Sequence, residues 1–588
     1  MIARLFASAL ALAAPLALAA PAQANSATVV PGAQVPSQLD AQTRAFYANV
    51  FRLIDAKDWT QVETLLQSRP VEPLRQVALA EYYLHPESPA IGLDALNAWL
   101  STGVGRELPQ AEQIGRLALK RGLEEAPSLP QTQRLVSLRG PAKRTRPGET
   151  RDPRMPPDIA EAILDRIKND DPRGARILLD GVDGMLSSEG RAEWRQRVAW
   201  SHYIENDDRT ALALAQNVAN GGSGAWVAEG WWVAGLAAWR LGDCNQSADG
   251  FTRAAQGAYN EELRAAAHYW ASRALVRCRK PDAADPALRA AAGYGNTLYG
   301  MLAAEQLNMA LPRESAGTPF GTADWRGLAD ETNVRTAVAL TEVGQESLAD
   351  EVLRHQARIG SPSDYPSLSR LARALGLPGA QLYMAYNAPR GAQPDPGTRY
   401  PTTRWQPVDG WRVDPALAYA HTLQESNFRA GVVSPAGAVG LMQIMPATAR
   451  DHAATFGNAN LRNPAVNMAI GQRNLEMLRD RGATQGLLPK IMAAYNAGLS
   501  PITRWNSEVR DQGDPLLYME SIPYWETRGY VAIVTGNYWM YERQENRASP
   551  TRAALAQNLW PRFPGVAGAD AYAAHGKPVL SGAVHRGN

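Results

Sequence analysis

Sulfur and imidazole are scarce in this chain. Two cysteines, Cys244 and Cys278, cannot build a four-ligand metal site or a disulfide scaffold. The eight histidines include no pair three to five residues apart, the spacing that sets two imidazoles on one helical face. A zinc hydrolase of the HExxH kind is therefore not encoded, and no cofactor is expected. Charge of one sign is missing too. Sixty Lys+Arg against 58 Asp+Glu leave +2, without the basic bias of a duplex binder, which argues against nucleic acid as the main ligand. No segment beyond the N-terminal one holds 18 uninterrupted apolar residues, so a polytopic membrane protein is excluded. With 45% hydrophobic and 20% charged residues the composition is that of a folded, soluble chain, and 588 residues are too many for one core, so two to four folding units are expected.

Residues 1–24 are unlike the rest: Arg4, an apolar run from Leu5 to Ala20 interrupted by Pro15, then Ala22-Gln23-Ala24. This is the pattern of a secretory signal peptide cut before Asn25, its apolar run being short of the roughly 20 residues that span a bilayer. A retained membrane anchor is the alternative; a lipoprotein anchor is excluded because no cysteine follows. The expected compartment is an exported one. There the two cysteines can pair, closing a loop of about 35 residues and adding ~3 kcal/mol, or remain two buried thiols.

Helical periodicity dominates what remains, so the fold class is all-α. From about Gln38 to Pro127 apolar residues recur at helical spacing between breaks at Pro70, Pro86 and Gly103, giving short helices. Between Gln133 and Arg154 seven basic residues face two acidic ones among prolines, which predicts a solvated basic loop between helices. From Asp158 to about Met309 the pattern repeats. Turns near Asp207, Asp243 and Asp282 are 36 and 39 residues apart, close to the period of helix-turn-helix solenoids. Its tryptophans are expected to fill inter-helix space. A second helical block, about Gly321 to Ala388, runs into a stretch with five prolines between 389 and 407 that cannot continue a helix. The expected units are a helical superhelix over 25–320, a helical linker domain over 321–397, a compact domain over 398–560 and a flexible tail over 561–588.

The compact domain holds the chemistry. Asp414-Pro415 is a helix start, and the helix it opens carries Glu425 into its last turn. There the negative end of the helix dipole and the apolar neighbours Leu423 and Phe428 raise a carboxyl pKa, and an acid still protonated near neutrality can donate to a leaving glycosidic oxygen. Read without those neighbours, Glu425 is an exposed glutamate at a helix end, paired with His421 one turn back. Downstream, Gly437-Ala438-Val439-Gly440-Leu441-Met442-Gln443 lets backbone approach a ligand closely; Gln443 supplies an amide, and Met442 and Met445 an adaptable apolar floor. A helix ends at Ala494-Tyr495-Asn496-Ala497-Gly498 and another opens within Ser521-Ile522-Pro523-Tyr524-Trp525-Glu526-Thr527-Arg528-Gly529-Tyr530-Val531.

Together, in this order, the strings QESNF, VSPAGAVGLMQIMPATA, AAYNAG and ESIPYWETRGYV between Gln424 and Val531 resemble the catalytic domain of the soluble lytic transglycosylases, lysozyme-like enzymes that cleave bacterial peptidoglycan. The upstream solenoid and linker are similar, more loosely, to the layout of the large periplasmic members. The resemblance implies that Glu425 is the sole acid/base, that Ser434 and Gln443 orient it or the substrate acetamido group, and that Met442 and Met445 line the sugar cleft. Tyr495 would support the glutamate or an intermediate, Asn496 would hold the cleft wall, and Glu526 would bind sugar or peptide. Many members carry Arg two residues before the acid; here it is Leu423. The implied reaction cleaves the MurNAc–GlcNAc β-1,4 bond with formation of a 1,6-anhydro ring, and the implied partners are peptidoglycan strands and, through the superhelix, other cell-wall enzymes. A muramidase using water would need a second carboxylate, for which Asp451 and Glu520 are candidates. A non-catalytic scaffold would bind glycan without turnover.

Overall fold

In the computed structural model the described residues are 35–69, 73–138, 143–311, 318–392, 394–403 and 405–569. The expected signal segment, and residues 570–588 of the expected tail, lie outside them. Helices carry the architecture, as the periodicity predicts. Among the described residues the only sheet is a two-stranded antiparallel ribbon, Leu135–Ser137 against Asn387–Pro389.

The repeat resolves into helical pairs, Pro157–Lys168 with Pro172–Val182, Ser188–Ile204 with Asp208–Asn217, Ala225–Leu241 with Cys244–Gly257, and Glu261–Arg277 with Pro281–Ala292. One turn recurs between partners. A residue in the left-handed region ends the first helix (Asp170 φ 57°, Asn206 φ 61°, Gly242 φ 81°, Arg279 φ 58°) and the next residue starts the second. In three of the four that next residue is an N-cap aspartate. Asp171, Asp207 and Asp243 accept from the amides of Gly174, Thr210 and Gln246 at 2.9, 3.4 and 3.0 Å, each bond worth about 1 kcal/mol of helix stability. In the last pair Lys280 stands at this position and makes no such bond, and Arg279 must adopt the left-handed backbone. The disulfide falls at this weakest turn. Cys244 opens one helix and Cys278 closes the next, and their bond ties successive pairs. Trp232 and Trp270, fully buried, fill the space between pairs with Phe251 between them, ring centroids 5.1 and 5.6 Å away.

Two cores result. Tyr47, Val62, Leu96 and Ile114 from the short helices before residue 120 share one with Val338, Leu353 and Leu371 from the block after 320. Ile163, Val198, Trp232 and Leu302 of the solenoid share the other with Leu417, Ile491, Val531 and Trp539 of the C-terminal helices. The solenoid therefore packs directly on the domain carrying Glu425.

One residue of the segment between the cores departs from the expected solvated loop. Arg144 bridges the solenoid's Glu229 (3.2 Å) and the C-terminal domain's Glu520 (3.0 Å) while its guanidinium lies 4.3 Å from the centre of the Trp232 ring. Arg146 covers Trp525 at 4.6 Å. A planar guanidinium can pair at its edge and stack on its face at once, so Arg144 ties the solenoid to the C-terminal domain, while Arg134, Lys143, Arg146, Arg151 and Arg154 are exposed, as a solvated basic loop predicts. No helix among the described residues is long and apolar enough to cross a membrane.

Candidate active site

Helix Pro415–Ser426 begins as its sequence demands. Asp414 accepts from the amide of Ala416 at 2.9 Å, and Pro415 takes the position where a missing N–H costs nothing. It ends abruptly because Asn427 (φ 50°) and Phe428 (φ 60°) both turn left-handed. Its length is fixed so that Glu425 stands in the last turn, packed with the long helix Trp525–Gln544. Burial pushes the Glu425 carboxyl up from its ordinary 4.5 to about 7; a hydrogen bond from Tyr530 opposes this, and the nearby charge of Glu526 adds to it.

The Tyr530 hydroxyl donates to Oε1 of Glu425 at 2.7 Å and lies 2.7 Å from Nδ1 of His421. Burial holds His421 down to about 3, so it is neutral. Since the tyrosine proton is spent on the carboxyl, its oxygen must accept from His421, which assigns the imidazole proton to Nδ1. Nε2 is then a bare acceptor, consistent with its being buried without a partner. His421 thus reaches Glu425 only through Tyr530, not directly. Tyr495 completes the group. Its ring lies 4.7 Å from that of His421 and parallel to that of Tyr530 at 6.4 Å, and its hydroxyl donates to the carbonyl of Met442 at 2.8 Å.

That carbonyl belongs to a loop built of tight turns. Ser434 Oγ accepts from the amide of Ala438 at 3.0 Å, and Gln443, at φ 48°, folds its amide nitrogen onto the carbonyl of Gly440 at 2.9 Å. Gly440 has φ 80°, and a Cβ there would meet the side chain of Asn467 and the carbonyl of Leu461 at 2.4 Å. Asn467, fully buried, is the clamp. It accepts from the amide of Met442 at 2.8 Å and donates to the carbonyls of Val439 and Leu461 at 2.9 and 2.8 Å.

The predicted site residues therefore divide. Glu425 and Tyr495 converge on the His421–Tyr530 pair, with Glu526 exposed but near enough to act on Glu425 electrostatically. Asn496 accepts from the hydroxyl of Thr527 at 2.7 Å, which joins the end of helix Leu488–Ala497 to the start of the Trp525 helix. Ser434 and Gln443 are spent, in these bonds, on shaping their own loop. Met442 departs from the expected cleft lining: its side chain is wholly buried against Gly471, where a Cβ would collide with its sulfur, and only its carbonyl serves the site. Met445 is exposed. Sequence reasoning missed Tyr530 and Asn467. The first lay inside the quoted motif, one helical turn past Glu526. The second bonds only to backbone, which leaves no pattern of side-chain types to find. Among the described residues no group of His, Cys, Asp and Glu could hold a metal ion. The carboxyl of Glu425, raised to about 7, can give up a proton and take one back near neutral pH.

Residues 406–517 match the family described as Transglycosylase SLT domain. A soluble lytic murein transglycosylase of Salmonella typhimurium is 36% identical over 159 residues, 26% of this chain and 24% of the relative. An endo-type membrane-bound lytic murein transglycosylase A of Klebsiella pneumoniae is 30% identical over 142 residues, 21% of this chain and 70% of the relative. The match thus spans about a quarter of the soluble relative. The structure of an inactive mutant of the lytic transglycosylase Slt from Pseudomonas aeruginosa aligns with 87% of this chain and 88% of its own at 18% identity and a TM-score of 0.49.

Proposed function

This chain belongs to the lytic murein transglycosylase family, and from that premise we propose that it cleaves the β-1,4 bond between N-acetylmuramic acid and N-acetylglucosamine in peptidoglycan, in an exported compartment. The observation that carries the reading is Glu425, the half-buried carboxyl raised to about 7 and held by Tyr530. Glu425 donates its proton to the bridging oxygen as the bond to C1 breaks, and the sugar's own acetamido oxygen closes on C1 to carry the positive charge. The anionic Glu425 then takes the proton of the C6 hydroxyl as that oxygen displaces the acetamido group from C1. The product is a 1,6-anhydro ring, and no second carboxylate has to act as nucleophile.

Neither carboxylate that the sequence offers for a water-based mechanism suits it. Glu520 is held by Arg144 and by the hydroxyl of Tyr299 at 2.7 Å, and Asp451 is exposed at the end of helix Pro446–Asp451. Tyr495 would hold the loop against the acid, Glu526 would meet substrate from its exposed position, Ser434 and Gln443 would preserve the shape of that loop, and Asn496 the helix junction beside it. Mass spectrometry of glycan released from purified sacculi tests the reading. Ends lighter by one water, lost in the Glu425→Gln variant, are expected; ordinary reducing ends would point to hydrolysis, and glycan binding without release to a scaffold.

A further inference from the structure

A cavity of about 160 Å³ opens between the solenoid and the first turn of helix Trp525–Gln544, on the side of that turn carrying Trp525 and Arg528. Four arginines, Arg144, Arg146, Arg197 and Arg528, line it between Trp200, Trp226, Trp232 and Trp525, and the one carboxylate in its wall, Glu229, is engaged by Arg144. Two of the arginines are neutralised. Arg144 pairs with Glu229 and Glu520, and Arg197 with Glu193 at 2.6 Å. The other two meet no carboxylate within bonding distance among the described residues. Arg146 stands exposed at the mouth over Trp525. Arg528 is 8% exposed, sandwiched 4.0 Å from Trp200 and 4.9 Å from Trp525, and its one hydrogen bond is to the carbonyl of Ile522 at 3.2 Å. A guanidinium has five N–H donors, and burying it without a counter-charge is costly. Burial and the neighbouring charge of Arg144 pull Arg528 down to about 9, far below the usual arginine range.

We propose that this cavity is a binding site for a small oxyanion, a carboxylate or a phosphate, free or as the end group of a larger ligand, with Arg146 admitting it and Arg528 receiving it. The volume suits such a group, planar guanidinium forks match both geometries, and the tryptophan walls limit competition from water. Neither Glu425 nor Tyr530 is among the residues that line this cavity, and its ligand would supply Arg528 with a counter-charge in direct contact.

The test titrates the full-length protein, by tryptophan fluorescence and thermal unfolding, with inorganic phosphate, with N-acetylalanine and with its neutral amide, at constant ionic strength set by chloride. Saturable quenching and a raised Tm with phosphate or N-acetylalanine, but not with the amide, are expected, and the preference between the two anions identifies the source. Arg146→Ala, a surface change that should fold, is expected to weaken binding about tenfold or more, and Arg528→Gln to abolish it. The Glu425→Gln variant should bind as the parent does, which separates this site from the proposed reaction. An anion response no larger than that of the amide, or one unchanged in Arg146→Ala, would overturn the proposal.

Discussion

Tyr530 donates a hydrogen bond to Glu425 at 2.7 Å while accepting one from His421 at the same distance, so the acid is tuned by burial and the charge of Glu526, which raise it, against one hydrogen bond that lowers it. A donor of this kind favours the anion over the acid by about 1.5–3 kcal/mol. Tyr530→Phe should therefore move the Glu425 titration up by about one to two pH units, since 1.36 kcal/mol is one unit. The alkaline limb of kcat/KM, expected near pH 7, would shift upward, while kcat falls because the base step loses its support. A limb that stays in place in this variant would mean that Glu425 is not the group being titrated.

The same acid should cost the fold stability. Its carboxyl binds a proton up to about pH 7 in the native chain but only to about 4.5 when unfolded. Between those values the native state holds more protons, so raising the pH through this window destabilises it, and lowering the pH restores what was lost. Above pH 7 the deficit is at most about 3 kcal/mol. Glu425→Gln should then lose activity by about 10²–10⁴-fold and yet resist urea better than the parent at pH 8, with the gain fading toward pH 4.5. Equal gain at both pH values would show that the carboxyl is not under electrostatic strain.

Which parts of this were legible in the sequence follows from what kind of interaction makes them. The solenoid was legible because three of its four turns repeat one local device, a left-handed residue followed by an N-cap aspartate, and Asp207 and Asp243 announce it. Glu425 was legible because Asp414-Pro415 fixes where its helix starts. Within the Gln133–Arg154 segment Arg144 was misread, because its pairing with Glu229 and Glu520 joins residues 85 and 376 positions apart, and charge density alone cannot distinguish a solvated arginine from one between two carboxylates. The role of Met442 was misread for a related reason, since burial against Gly471 is settled by packing and not by residue type.

The disulfide offers a test of the solenoid as a physical array. Cys244 and Cys278 are 34 residues apart and close the turn that lacks an aspartate cap. Linking such a loop restricts the unfolded chain by ~3–4 kcal/mol. In the doubly substituted Cys244→Ser, Cys278→Ser protein, or after reduction, hydrogen exchange should quicken first in helices Cys244–Gly257 and Pro281–Ala292, which contact mainly their neighbours. Helix Pro415–Ser426 should keep its protection, and activity measured well below the melting temperature should change little. A uniform loss of protection across the chain would instead mean that the two cores unfold as one unit.

Asn467 is the residue on which the loop's shape most depends, because three backbone groups from two segments meet on one side chain. Asn467→Ala would leave the amide of Met442 and the carbonyls of Val439 and Leu461 without their partner in a place where water does not readily replace it, a cost of about 2–4 kcal/mol. The damage should also travel. The carbonyl of Met442 holds the hydroxyl of Tyr495, whose ring packs on His421, and His421 feeds the proton chain that ends on Glu425. The expected result is a lower melting temperature together with a fall in kcat at temperatures where the variant is still folded. Asn467→Asp, which keeps the acceptor for Met442 but loses both donors, should retain more of the kcat than Asn467→Ala while being no more stable. If both variants lose stability and neither loses kcat in the folded range, the loop does not position the acid, and the link from Asn467 through Tyr495 to Glu425 is broken.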